Sequence, residues 1–468
     1  MIELSLTEVA TITGGTLGGI CTNTTGGGAS ITGVVIDSRS VLPGTLFVAL
    51  PGEHVDGHEY VAAAGAAGAS AALTTRDLAD AQLPLVVVDD TATALADLAR
   101  EVLVRLRDAG EIVVVGITGS VGKTSTKDLL SVLLAPMGEV VAPVASFNNE
   151  IGLPLTVLRA GVATRALVLE MGADAPGNLT FLTSVAPPDI AVELVVGHAH
   201  LRGFGSIEGV ATAKAELVQG MRSGGTAVLN ADDPRVLAMA ALAPEVVTFG
   251  RSEQADVRAV DVVMQDGHAE LTLTTATESV RTRLALAGEH HVTNALAAAA
   301  VAVRLGRPLS EIAHSLASTG PISPHRMQVT DTVDGVRVVD DSYNANPESM
   351  RAGLRALASM TDDGRRSVAV LGEMLELGPD RVAEHAAVGA IAVDLGIDEV
   401  VVIGEGAAPL LAAVVDAGGR GHGVADVDAA QALLRGLLAP GDVVLVKASN
   451  GVGLSRLGDA LAAGTVSR

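Results

Sequence analysis

The sequence predicts an α/β protein of three domains, and three observations carry that expectation. Apolar runs of strand length alternate with amphipathic helical segments over most of the 468 residues. A glycine-rich run, Gly116-Ile117-Thr118-Gly119-Ser120-Val121-Gly122-Lys123-Thr124-Ser125, joins one such strand to one such helix. The segment Gly320-Pro321-Ile322-Ser323-Pro324 interrupts the alternation, which then restarts. The length is ample for three separate cores.

Residues 1–107 read as a small α/β unit, with turns marked by Gly14-Gly15, Gly26-Gly27-Gly28, Pro43-Gly44 and Pro51-Gly52. Its alanine-rich stretch over 60–72 reads as a close-packed helix running into the strand Ala71-Ala72-Leu73. Residues 108–318 read as a central domain with a mainly parallel sheet. Its expected strands are 112–117, 166–170, 189–196 and 226–229, and its expected helices 123–135 and 206–221. Alternation such as Leu271-Thr272-Leu273-Thr274 marks an antiparallel excursion over 257–287, and a helix follows over 291–305. Residues 319–468 read as a Rossmann-like domain. Strands at 336–340, 367–371, 398–403 and 442–446 alternate with helices near 347–359, 381–395, 427–438 and 453–463. Loops 340–347, 372–378 and 447–450 follow the carboxyl ends of those strands, where ligands meet such sheets.

Composition excludes several function classes. The formal charge of −23, with no Trp, only Tyr60 and Tyr343, and five Phe, argues against nucleic acid, which needs phosphate neutralisation and stacking rings. Apolar residues make up 49% of the chain, yet Gly, Asp, Glu or Arg breaks every run before membrane-spanning length, so no span is expected. The start Met1-Ile2-Glu3-Leu4 has no signal-peptide character, and Cys21 is the only cysteine, which together point to the cytoplasm. Lysine is scarce: Lys123, Lys127, Lys214 and Lys447 stand against 27 arginines. Arginine therefore supplies the solvated cations, and each retained lysine suggests a task needing a compact ammonium or a modifiable amine.

The glycine-rich run has the chemistry of a phosphate cradle. Between a strand and a helix, backbone N–H groups and the helix N-terminus face a polyphosphate, Lys123 adds a point charge, and the Thr124 hydroxyl is free for Mg²⁺. The standard spacing asks for glycine where Ile117 stands; the glycines fall at 116, 119 and 122 instead, so the loop belongs to a distinct subclass. Glu170 ends an apolar strand, where an Mg²⁺ ligand belongs. His200 follows the next strand and Lys214 lies on the next helix, on what should be the same sheet edge. Asn148 and Asn149 enter an apolar helix start, either completing the phosphate site or capping that helix.

With these residues in view, the chain resembles the Mur ligases over essentially its whole length. These are ATP-dependent enzymes that form amide bonds in peptidoglycan precursor synthesis. The segments Asp341-Ser342-Tyr343-Asn344-Ala345-Asn346-Pro347 and Leu371-Gly372-Glu373-Met374-Leu375-Glu376-Leu377-Gly378 are similar to the branch that adds D-alanyl-D-alanine. The resemblance implies a UDP-sugar-binding first domain, a central ATPase and a mobile Rossmann-like third domain. It implies UDP-N-acetylmuramoyl-tripeptide, D-alanyl-D-alanine and ATP as substrates, Mg²⁺ as the metal and a chain acting as a monomer.

The resemblance also implies site roles. Gly119, Ser120, Gly122, Lys123, Thr124 and Ser125 would hold the phosphates, with Asn149 beside them, and Asn294 would meet adenine. Arg326 and Asp341 would reach the nucleotide from the third domain. Thr124, Glu170 and His200 would hold the metals, joined by Lys214 once carbamylated; Lys123, Glu170, His200 and Lys214 would form the catalytic set. Ser38, Arg39, Phe47, Asn148, Asn344, Asn346 and Lys447 would contact the other substrates. Four places depart from the family pattern: Val195 stands where asparagine is usual, Asn450 where arginine is usual, and His198 and Arg202-Gly203 also differ. An amide ligase with another amine, or a weakened nucleotide-binding homologue, stays open as an alternative.

Overall fold

A computed structural model describes residues 1–19, 29–52, 55–144, 146–197 and 201–464. The expected loop at Gly26-Gly27-Gly28, Cys21, His198 and His200 lie outside the described residues. The protein is α/β throughout, with three main sheets, each drawn from its own stretch of chain. A five-stranded sheet comes from residues 16–87, a nine-stranded sheet from 113–287 and a six-stranded sheet from 328–447. A short antiparallel pair, Leu4–Ser5 with Ser30–Ile31, completes the amino-terminal part.

In the nine-stranded sheet, Val113–Thr118 lies between Thr164–Glu170 and Ile190–Glu193, and all three run parallel. Helices cover both faces, which is why these strands are apolar without alternation. Leu129, Leu130 and Leu133 of helix Lys123–Leu134 pack on one face with the alanine-rich helix His291–Arg304. The other face carries Gly152–Val157, Ile207–Gln219 and the long helix Thr91–Ala109. That last helix shares its apolar cluster with Leu6 and Val9 of the amino-terminal helix Leu6–Thr13, so the first two domains are joined by one core. The antiparallel excursion is present as Val257–Gln265, His268–Thr274 and Ser279–Ala287.

The register places the site. Glu170 pairs with Ile117, and Glu193 with Thr118, so the carboxyl ends of three adjacent strands emerge beside the glycine-rich loop. Sequence periodicity extends the strand at 189–196 too far; pairing ends at Glu193. Beyond it the chain follows the loop instead: Leu194 N donates to Thr118 O at 3.1 Å, and Val195 O accepts from Ser120 N at 2.9 Å.

The six-stranded sheet runs in the order Gln328–Asp331, Arg337–Asp340, Val443–Lys447, Ser367–Leu371, Glu399–Ile403, Gly421–Val424, parallel except for the first pair. Two elements here lie beyond the expected set between 403 and 427, the helix Ala408–Asp416 and the edge strand Gly421–Val424. Gly421-His422-Gly423 has no strand signature of its own and is held by pairing with Val400, Val401 and Val402. The helix expected over 60–72 is only Val61–Ala66, because Gly68 takes a φ of 103° and turns the chain. Among the described residues no helix is long and apolar enough to cross a membrane.

Candidate active site

The glycine-rich loop is shaped by two of its three glycines, and the third packs the fold. Gly122 has φ 88°, and a Cβ there would fall 2.2 Å from Asn294 Oδ1. Gly119 has φ 152° and lies against Leu194. Gly116 sits in the strand, where a Cβ would crowd Leu217, Pro188 and Met171 at 3.1 to 3.4 Å, so it serves the seating of helix Ile207–Gln219. Ile117, at the position where the standard spacing has glycine, is a buried core residue.

From this loop starts helix Lys123–Leu134, with no side-chain cap at its N-terminus. Its free N–H groups and positive dipole end therefore face the cavity. Lys123 Nζ donates to Gly119 O at 2.7 Å, and burial pulls its pKa down against the attraction of Glu170. Thr124 Oγ1 donates to Glu170 Oε2 at 3.0 Å, while Asn148 Nδ2 donates to Glu170 Oε1 at 2.9 Å. A hydroxyl beside a carboxylate at a strand end is a hard-oxygen donor set, and it fits Mg²⁺. Ser146 Oγ, 3.3 Å from Thr124 Oγ1, extends that set and was not legible in the sequence.

The third domain reaches into the same place. Arg326 lies 4.1 Å over the Tyr343 ring and donates from Nη2 to Thr124 Oγ1 at 3.2 Å and Ser146 Oγ at 3.5 Å. Lys447 Nζ pairs with Asp341 Oδ2 at 2.5 Å and donates to Asn344 O at 2.9 Å; Asp341 Oδ1 accepts from Met327 N. Burial lowers the Lys447 pKa, and Asp341 opposes that shift. These residues line one cavity of 1040 Å³ that also touches Ala92 and Thr93 of the first domain and Leu375, Asn450 and Gly451 of the third.

Family models match in three consecutive blocks. The Mur ligase family catalytic domain covers residues 30–102, the Mur ligase middle domain 117–302 and the Mur ligase glutamate ligase domain 325–450. This chain belongs to the Mur ligase family. Its curated relatives include the UDP-N-acetylmuramoyl-tripeptide–D-alanyl-D-alanine ligase of Mycobacterium tuberculosis strain H37Rv, 47% identical over 99% of this chain and 98% of that protein. The ligase of that name from Escherichia coli K12 is 36% identical over 98% and 99%. Among solved Mur ligase structures, MurF from Acinetobacter baumannii superposes with a TM-score of 0.87 at 28% identity over 99% of both chains. MurF from Thermotoga maritima in complex with ADP does so with a TM-score of 0.79 at 30% identity, over 92% of this chain and 97% of that one.

Not every expected Mur ligase site residue meets the cavity in the same way. Gly122, Lys123, Thr124, Ser125, Glu170, Asn148, Asn294, Arg326, Asp341, Asn344 and Lys447 line it together. So do Ser120, Asn149 and Asn346, although their side chains are engaged locally. Asn149 Oδ1 accepts from Gly152 N at 2.9 Å at the start of Gly152–Val157, Asn346 caps Pro347–Ser359, and Ser120 Oγ accepts from Gly197 N. Gly119 is the backbone partner of Lys123. In the first domain, Ser38 sits between Asp37 and Arg39, which form an exposed ion pair, and Phe47 is a core side chain at 1% exposure. Lys214 is buried on helix Ile207–Gln219, and burial together with the nearby Lys123 charge lowers its pKa. Glu193 escaped the sequence reading. It is fully buried with neither oxygen hydrogen-bonded, and burial raises its pKa against the pull of Lys214 and Lys123.

Proposed function

We propose that this chain joins D-alanyl-D-alanine to UDP-N-acetylmuramoyl-tripeptide at the expense of ATP. One observation carries the reading: a single cavity is walled by all three domains, which gives room for three substrates to meet. Support comes from whole-length relatives named for this reaction and from a Mur ligase structure solved with ADP.

A carboxylate is a poor acyl donor, so the terminal carboxylate of the bound peptide attacks the γ-phosphorus of ATP, and ADP leaves. The amine of the dipeptide then attacks the acyl phosphate, and phosphate leaves from the tetrahedral intermediate. The first step brings two anions together. Lys123, the uncapped helix N-terminus and Arg326 lie where that charge accumulates, so their contribution is electrostatic. Bound Mg²⁺ would supply further charge neutralisation, with Thr124 and Glu170 to hold it and with His200 and a carbamylated Lys214 as the family's remaining ligands. A carbamate turns an ammonium into a carboxylate-like ligand, a role that an arginine at 214 could not fill. Closure of the third domain keeps water from the acyl phosphate. The chain fits a cytoplasmic monomer.

Phosphate release tests the reading. With UDP-N-acetylmuramoyl-tripeptide and D-alanyl-D-alanine both present, ATP turnover should rise far above that with either alone, and Lys214→Ala should abolish the rise while the protein stays folded. Background turnover with all three substrates sinks the assignment. Dipeptide analogues in the same assay decide between this amine and another.

A further inference from the structure

Lys127 is the one lysine that the reaction leaves without a task, and the structure gives it three partners. Its ammonium pairs with Asp128 Oδ1, donates to Pro143 O at 3.2 Å and donates to Ser323 Oγ at 3.3 Å. An ammonium has three N–H bonds, and here each has an acceptor. Lys127 is 3% exposed and Asp128 7%, so the pair is withdrawn from water. Breaking one member of such a pair strands a buried charge.

Two of these contacts run to segments that carry site residues. Pro143 begins the loop with Ser146 and Asn148, which touch Thr124 and Glu170. Ser323 sits in the linker between central and third domains. Its hydroxyl accepts from Lys127, and its N–H donates to Asp128 Oδ2 at 3.0 Å. Three residues later Arg326 returns to the same helix, one turn earlier, and donates to Thr124 Oγ1 at 3.2 Å. The linker is thus held at two successive turns of the phosphate-loop helix, by Asp128 and Lys127 at one and by Thr124 at the other.

We propose that Lys127 and Asp128 are positioning residues that strap the linker to the phosphate-loop helix and so fix where Arg326 meets the nucleotide phosphates. The inference rests on the ligase reading above. A guanidinium carried on a mobile domain must arrive within a fraction of an ångström to stabilise developing charge. Pinning the chain three residues upstream turns domain closure into rotation about a fixed point. The helix that holds the phosphates then also sets the approach of the arginine. The linker contacts sit 196 and 195 residues apart in the chain, which is why sequence reading left Lys127 unassigned.

Ser323→Ala, Asp128→Asn and Lys127→Met test the strap, with Ser323→Ala keeping the test open if a charge variant fails to fold. Steady-state phosphate release is measured with all three substrates, and ADP affinity is measured separately by calorimetry. The expected result is a fall in kcat of about tenfold or more for Lys127→Met, with ADP affinity within about twofold of the parent because Lys123 is untouched. Ser323→Ala should lower kcat in the same direction, and the double variant Lys127→Met/Ser323→Ala should be no worse than Lys127→Met alone. An unchanged kcat in Ser323→Ala, or additive losses in the double variant, overturns the strap, as does a loss of ADP affinity in step with kcat. Absence of turnover in the parent enzyme instead refutes the ligase reading, so the two failures are distinguishable.

Discussion

At the scale of single residues, glycine has two unrelated tasks in the loop that dominates the sequence. Gly116 makes room for a helix on the sheet, whereas Gly122 takes a backbone shape that L side chains avoid and lets Asn294 approach. Gly122→Ala should therefore weaken ADP binding about tenfold or more, from strain of about 1–3 kcal/mol together with the collision with Asn294. Calorimetric titration of ADP checks it, with circular dichroism to show that the fold persists. The departure at Val195 is less disruptive than the residue type suggests, because the contact it makes to Ser120 comes from its backbone carbonyl. The places of Thr124 after the glycine-rich loop and of Glu170 at the end of an apolar strand were legible from position alone, whereas the hydrogen bond between them was not. Glu193 was not legible: it reads as one more residue of an apolar strand, and only the structure reveals that both its oxygens are buried without a hydrogen-bond partner.

At the scale of elements, Asn149 and Asn346 are motif residues that also start helices bordering the site. Asn346 accepts from Ser349 N at 2.8 Å, and Ser349 Oγ accepts from Asn346 N at 3.0 Å, a reciprocal cap that starts helix Pro347–Ser359. Asn346→Ala should cost about 1 kcal/mol of stability in urea unfolding. Because the same turn borders Asn344 and Lys447, it should also raise the KM for the dipeptide more than that for ATP. Strands such as Val113–Thr118 and Ser367–Leu371 were readable because continuous apolar runs bounded by glycine or polar turns report two covered faces. Helix Ala408–Asp416 and strand Gly421–Val424 were not. The first lies in an apolar, alanine-rich stretch without a clear cap, and the second owes its form to its neighbour rather than to its own residues. Local pattern carried most of the fold; the connections between domains are long-range and left no periodic trace.

At the scale of the whole molecule, the third domain rests on the central one at a second place away from the nucleotide loop. Asp266, in the turn between two central-domain strands and at φ 47°, meets Arg337 and Arg365 of the third domain at 2.7 Å each. Met360 lies against the adjoining Gly267. Asp266→Ala should loosen this docking, so that small-angle scattering shows a larger radius of gyration without nucleotide and a protease cuts sooner in the 320–324 linker. An unchanged radius and an unchanged cleavage rate would refute it. The distribution of amines has a different outcome. Lys127, Lys214 and Lys447 are buried, and Lys123 is turned into the cavity, so the outer surface offers no lysine among the described residues. Reagents that acylate amines, which decorate most proteins indiscriminately, would find here chiefly the amino terminus and Lys123. A dye or cross-linker of that kind becomes a reporter of whether the phosphate loop is occupied.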